Sequence, residues 1–148
     1  AVCLPLIVAG GGNSGAQAST LIMRALALGE VRAADWWLVL RRELVMGLAL
    51  GALLGSIAAV RVLVWGAAGA YKGAAGEHFM MIGMTVAFAV TGCVMWGTLS
   101  GAMLPFLLRK IGADPASASA PLVATIVDVS GIAIYLTVAN LLLSGVLL

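Results

Sequence analysis

Residues 121–131 read Pro-Leu-Val-Ala-Thr-Ile-Val-Asp-Val-Ser-Gly. A single carboxylate, Asp128, stands in a run that is otherwise apolar or small, and no further charge follows before Leu148. A barrel strand would alternate apolar and polar residues over about 10 positions, and no such alternation occurs here. A membrane-crossing helix needs about 20 mostly apolar residues, which this segment supplies. A carboxylate inside the hydrocarbon layer costs at least about 2.5–3.5 kcal/mol and normally faces a cavity or an ion pathway. The segment therefore bears on the fold and on the chemistry together.

The rest of the chain agrees with a membrane setting. Of 148 residues, 63% are hydrophobic and 9% charged, with a mean hydropathy of +1.14. An ordinary soluble domain is about 45–50% apolar and about 25% charged. Eight basic and six acidic side chains are too few to clothe a soluble core. A soluble enzyme, a disordered segment and a nucleic-acid-binding domain are thereby excluded as readings. The net charge of +2 identifies no partner. Because lipid offers backbone groups no hydrogen bonds, helices or closed barrels alone can span it. The fold class expected is an all-α, polytopic transmembrane bundle.

Working outward from Asp128, breaks in the hydrophobic pattern delimit four spans within one domain covering 1–148: about 1–28, 44–65, 79–108 and 115–148. Arg24, Arg32, Arg41 and Arg42 lie in the connection 24–43, and Arg109 and Lys110 open the connection 109–114. The connection between the second and third spans offers only Arg61 and Lys72, beside Glu77. Positive charge concentrates on cytoplasmic loops, so 24–43 and 109–114 are expected in the cytoplasm, with the protein multi-pass in the plasma or inner membrane. Both chain ends then emerge outside, which leads us to expect one more helix upstream, five per subunit in all. Asp35, ahead of Trp36-Trp37 and Arg41-Arg42-Glu43, is expected to cap a short amphipathic piece at the interface. Asp114-Pro115 is expected to start the fourth span. At about 1.5 Å per residue that span would greatly exceed a core of about 30 Å, so it must tilt, project or break, with Pro121 the expected break.

On a helix, Ser117, Pro121, Ala124, Thr125, Asp128, Gly131 and Tyr135 recur at steps of three and four, along one flank. Small residues there leave room beside the carboxylate and expose carbonyl oxygens, a donor set suited to hard cations. A structural Asp, hydrogen-bonded to a neighbouring helix, is the competing account. A second polar cluster, Gly10-Gly11-Gly12-Asn13-Ser14-Gly15-Ala16-Gln17, interrupts the first span. It satisfies G-x-G-x-x-G, but that fingerprint requires a preceding strand in a soluble βαβ unit, so a dinucleotide site is rejected. Close packing of small residues explains some of these glycines. It does not explain Asn13 and Gln17, whose amides need partners; a hydrophilic pathway explains both clusters.

Other features read as structural. Gly47, Gly51 and Gly55 form a small-residue ridge for packing against another helix of the bundle or a second subunit. Cys3 and Cys93 have no CxxC spacing and read as buried free thiols. His78 beside Glu77 reads as interfacial, and the methionines of the third span share no face. No nucleophile–base pair or metal triad appears in any span, so no enzyme is expected.

Taken together, Pro5, Gly11 to Gln17 and Arg24-Ala-Leu-Ala-Leu-Gly-Glu30 resemble the second membrane helix and following loop of MgtE-type magnesium channels or transporters. Gly101-Ala-Met-Leu-Pro-Phe-Leu-Leu-Arg109 is similar to the end of that family's fourth helix. Asp114-Pro115, Pro121 to Thr125, Asp128, Gly131 and Ile134-Tyr135 resemble its fifth. The resemblance implies a homodimer in the lipid bilayer, with five helices per subunit around a central path for Mg²⁺ and the second and fifth helices lining it. It implies that Asp128 binds the hydrated ion, with Ala124, Gly12 and Thr20 contributing to the metal site. Gly11, Asn13, Gln17, Pro121, Thr125 and Gly131 are then the expected pore-lining residues. The regulatory cytosolic domains of many members would lie upstream of this chain. Ala120 and Ala16 stand where some members carry Asn, which removes polar contacts to the ion's water. The competing function is a proton- or sodium-coupled cation transporter in which Asp128 is the coupling carboxylate; a non-transporting scaffold would rest on the glycine ridges alone.

Overall fold

The structure is a computed structural model that describes residues 3–117 and 120–144. Those residues form an all-α bundle. Helix α1 spans Leu4–Ala27, α2 Trp36–Ala67, the single-turn α3 Ala74–Glu77, α4 Phe79–Lys110 and α5 Ala120–Leu143. Short 3₁₀ turns, Ala33–Asp35 and Pro115–Ser117, precede α2 and α5. Three helical stretches, Ala33–Ala67, Phe79–Lys110 and Ala120–Leu143, are long and apolar enough to cross a membrane. Helix α1, with 24 residues, reaches about 36 Å, but its Gly, Asn and Gln residues dilute its hydropathy.

Helix α4 is the axis of the bundle: α1, α2 and α5 all pack against it, and α1 also packs against α5. The buried side chains fall into two groups. Ile7, Ala58, Val62, Val90 and Val94 gather towards one end, and Ile22, Leu26, Val39, Ala102 and Phe106 towards the other. The second end is also the basic one. There α1 and α4 stop at Gly29 and Gly112, whose φ values of +73° and +78° suit a residue without Cβ. Behind these glycines, Glu30 donates its N–H to Ala25 O at 3.0 Å and Ala113 to Leu108 O at 2.9 Å. This is the αL stop that satisfies otherwise orphaned carbonyls.

Three local expectations are corrected. The piece around Trp36-Trp37 is no separate interfacial helix but the opening turns of α2. No Gly or Pro separates it from Leu44, so nothing interrupts the helical ladder. Asp35 does not cap α2 with its side chain; its Oδ2 accepts the N–H of Arg32 at 2.8 Å and closes the preceding 3₁₀ turn. Among the described residues, the last long helix starts at Ala120, not at Pro115. Asp114 Oδ1 accepts the N–H of Ala116 at 2.9 Å, so it caps the 3₁₀ turn. Pro121 therefore occupies the first turn of α5, where a missing N–H costs nothing, and is not a break within a longer helix. The interior proline of the bundle is Pro105, in α4.

The glycine ridge of α2 faces α4 of the same chain. A Cβ on Gly55 would lie 2.6 Å from Ala87 O and 2.8 Å from Thr91 Oγ1, and one on Gly51 2.9 Å from Thr91 O. Thr91 Oγ1 itself donates across the contact to Gly51 O at 3.1 Å. With no hydrophobic force between helices in lipid, this close approach supplies the dispersion contact that holds α2. Gly51→Ala and Gly55→Ala should each destabilise the detergent-solubilised protein by about 1–3 kcal/mol, seen as lower melting temperatures. Gly10→Ala, whose Cβ would lie an ordinary 3.5 Å from Val94 Cγ2, should melt close to wild type. Equal melting of all three variants would refute this account of the ridge.

Candidate functional site

Two helices build the site. On α1, Gly11, Gly12 and Gly15 are buried, while Asn13, Gln17 and Thr20 are exposed on the other side of the same helix. The glycine side lies against α4 and α5. A Cβ on Gly11 would stand 2.8 Å from Cys93 O, and one on Gly15 2.8 Å from Gly97 O. These distances mean that α1 and α4 meet backbone to backbone. Gly97 and Gly101 complete the contact from the α4 side, facing the carbonyls of Gly11 and Gly15 respectively.

Gly12 points elsewhere. Its missing side chain would run into Asp128 Oδ1 and lie 3.6 Å from Ala124 O. A carboxylate oxygen and a main-chain carbonyl of α5 thus converge over one glycine of α1. Asp128 as a residue is half-buried, but its Oδ1 is fully covered and has no hydrogen-bond partner. Leaving a buried polar atom unpaired costs about 1–3 kcal/mol, and more when it is charged. Such an atom needs a cation, water or donor from outside the described chain. Among the described residues, no group of three or more His, Cys, Asp and Glu surrounds it.

The predicted flank of α5 divides into three directions. Asp128 and Ala124 face Gly12. Pro121 and Thr125 are exposed, with Thr125 Oγ1 donating to Pro121 O at 2.9 Å. Gly131 instead turns to α4, where its carbonyl accepts the Cys93 thiol at 3.4 Å, and Tyr135 packs on the buried cluster around Val90 and Cys93. Ser117 lies in the 3₁₀ turn, outside α5. On α1, Thr20 donates to Ala16 O at 2.9 Å. Ala16, Gln17, Thr20, Leu21 and Ala120 line an open groove of about 500 Å³ between α1 and the start of α5. Asn13, Gln17, Thr20, Pro121 and Thr125 therefore share the exposed side of the α1–α5 pair, while Gly11 and Gly131 are buried in helix contacts.

Two supporting contacts were absent from the sequence reading. Trp96 Nε1 donates to Ser130 Oγ at 2.7 Å, two residues beyond Asp128, and so ties α5 to α4. The pair Gly97 and Gly101 is the α4 half of the α1 contact. Its four-residue spacing was a legible small-residue signal; the Trp96–Ser130 pairing had none.

Fold and site together define a multi-pass helical membrane protein with an unpaired carboxylate oxygen held at a helix–helix contact. Residues 4–138 match the MgtE family, described as a divalent cation transporter. The chain belongs to that family. It is 42% identical over 143 residues to the magnesium transporter MgtE of Thermus thermophilus, covering 97% of this chain and 29% of that relative. Over 141 residues it is 28% identical to the magnesium transporter MgtE of Enterococcus faecalis, covering 95% of this chain and again 29% of the relative. The Bacillus subtilis protein of the same name is 27% identical over 137 residues. The chain thus spans less than a third of the length of these relatives.

The glycines differ in what replaces their hydrogen. Gly11→Ala and Gly15→Ala push a methyl group onto α4 backbone, so each should lower the melting temperature, by the equivalent of about 1–3 kcal/mol. Gly12→Ala meets the end of a side chain that can rotate away, so it should melt closer to wild type while displacing Asp128. A Gly12→Ala variant that melts below both others would overturn this ordering.

Proposed function

We propose that this chain is the ion-conducting transmembrane domain of a magnesium transporter, with α1 crossing the membrane beside α2, α4 and α5. The observation that carries the reading is Asp128 Oδ1, buried without a partner beside Ala124 O and over Gly12. The names of its relatives, magnesium transporters at up to 42% identity, support Mg²⁺ as the cargo.

Mg²⁺ demands octahedral oxygen ligands and gives up water reluctantly. One carboxylate and one carbonyl cannot replace its shell, but they can accept hydrogen bonds from the water it keeps. The exposed side of α1 and α5, bearing Asn13, Gln17, Thr20, Pro121 and Thr125, faces the same surface of a second copy across a twofold axis. Each copy then contributes one Asp128, and the polar side chains line a wet path. A path lined this way also removes the cost of leaving amides and hydroxyls against lipid. The basic end, with Arg24, Arg109 and Lys110, lies in the cytoplasm by the positive-inside rule, in the plasma or inner membrane. Regulatory cytosolic domains are proposed to precede this chain in the full protein.

Reconstituted in liposomes, full-length protein carrying Asp128→Ala or Asp128→Asn should lose Mg²⁺ uptake by more than roughly ten-fold with an unchanged melting temperature. Wild-type uptake in both variants would remove Asp128 from the pathway. Bilayer currents should be carried by Mg²⁺ and be indifferent to Na⁺ and proton gradients. Obligatory dependence on either gradient would replace the channel reading with a coupled transporter.

A further inference from the structure

A second concave feature lies at the basic end, away from the α1–α5 flank. Between the turn that enters α2 and the last turns of α4 is an open groove of about 520 Å³. Trp36, Met103, Phe106 and Leu107 supply apolar walls, and Arg109 and Lys110 sit on the same rim. Phe106 is buried as the floor, whereas Trp36 and Leu107 remain 48% and 56% exposed. No Asp or Glu lines the groove. Asp35, beside Trp36, holds the Arg32 N–H with its Oδ2. Asp114 lines an adjoining groove that Arg109 also borders, but accepts the Ala116 N–H with its Oδ1. Neither Arg109 nor Lys110 forms an ion pair with any described residue.

Basic residues in the last turn of a helix are ordinarily explained by the helix dipole. That accounts for the two charges but not for a groove that joins them to an apolar wall. Arg109 and Lys110 stand about one helical turn, roughly 5 Å, beyond Phe106 and Leu107. An occupant must therefore be amphiphilic, with an anionic group at the rim and a hydrocarbon chain along Trp36 and Leu107. Trp36 and Trp37 meet edge to face, their centroids 5.6 Å apart, and paired indoles favour the depth of lipid headgroups. Free phosphate would leave the apolar wall bare. A zwitterionic headgroup would bring its own cation against Arg109 and Lys110.

The geometry points to this groove as a binding site for an anionic glycerophospholipid, its phosphate on Arg109 and Lys110 and one acyl chain against Trp36, Met103 and Leu107. Native mass spectrometry of the full-length protein, given equal phosphatidylglycerol and phosphatidylcholine, should show preferential retention of phosphatidylglycerol. Arg109→Gln combined with Lys110→Gln should reduce that preference by roughly ten-fold or more, since each cation near anionic lipid contributes a few-fold. Arg61→Gln, over Trp65 near the opposite end of α2, should preserve it. Should the double variant fail to fold, quenching of the native tryptophans by brominated lipid tests the same site. Brominated phosphatidylglycerol should quench more than brominated phosphatidylcholine, and Trp36→Phe combined with Trp37→Phe should abolish the excess, since the two rings lie 5.6 Å apart. Equal retention of the two lipids, an unchanged preference in the Arg109/Lys110 double variant, displacement by millimolar inorganic phosphate, or excess quenching that survives loss of both Trp36 and Trp37 would each overturn the assignment.

Discussion

The backbone contact between α1 and α4 is the constraint on which the other features rest. Gly11 and Gly15 on one helix, and Gly97 and Gly101 on the other, bring carbonyl oxygens to where any Cβ would stand. In lipid the apolar side chains gain nothing by leaving solvent, so helices associate through close packing and polar contacts. Glycine at these positions permits the closest approach available. The same approach sets how far α1 can sit from α5, because α4 packs against both. A one-methyl spacer on Gly11 or Gly15 would move Gly12 relative to Asp128 without touching either.

That geometry leaves a carboxylate oxygen sequestered and unpaired, in a chain with few charges to spare. Ser100 Oγ is the other buried side-chain atom without a partner among the described residues, but several polar groups of the membrane region find one within the bundle. Thr85 donates to Met81 O at 2.8 Å, Ser14 to Gly10 O at 2.7 Å, and Trp96 to Ser130 Oγ at 2.7 Å. Hydroxyls solve their burial locally by bonding a carbonyl one turn back. A carboxylate has no such recourse in an α-helix, since it accepts and does not donate when ionised. Its partner has to come from another helix, from water or from an ion. Gly12 offers no donor side chain, so α1 leaves Oδ1 covered without pairing it.

Long apolar runs, punctuated by charge and glycine, made the helical class legible from sequence, and an isolated acid drew attention to Asp128. Which glycines touch what was not legible. Gly11, Gly12 and Gly15 look equivalent in sequence, but successive helical residues point about 100° apart. Gly12 therefore meets Asp128 of α5, while Gly11 and Gly15 meet the α4 backbone first and the valines Val127 and Val123 of α5 beside it. The flank assigned to α5 failed for a related reason. Steps of three and four mark a broad stripe, and the stripe is wide enough to meet two neighbours and an open face. Gly131 and Tyr135 consequently belong to the core beside Cys93. Pro121 misled because proline acts differently at the first turn of a helix and in its interior, and sequence alone did not locate the turn at 115–117.

The single-chain donor set also restricts what kind of cation chemistry can occur there. A dehydrated divalent ion needs about six oxygen ligands, whereas Asp128 Oδ1 and Ala124 O are the oxygens converging over Gly12, with no further acidic group clustered among the described residues. In the proposed dimer a symmetry-related Asp128 would double the charge but would still fall short of a protein-made octahedron. On that proposal the balance would be water, and the radius of the hydrated ion would be the quantity the site measures. On the proposed reading, the small residues Gly12 and Ala124 would have a purpose beyond packing: a modest shift of the Asp128 side chain would open room for water to remain on the ion. Selectivity on the proposed reading would depend on how the hydrated ion fits and on the charge it carries, and a bulkier residue at either position would act on passage even with Asp128 intact.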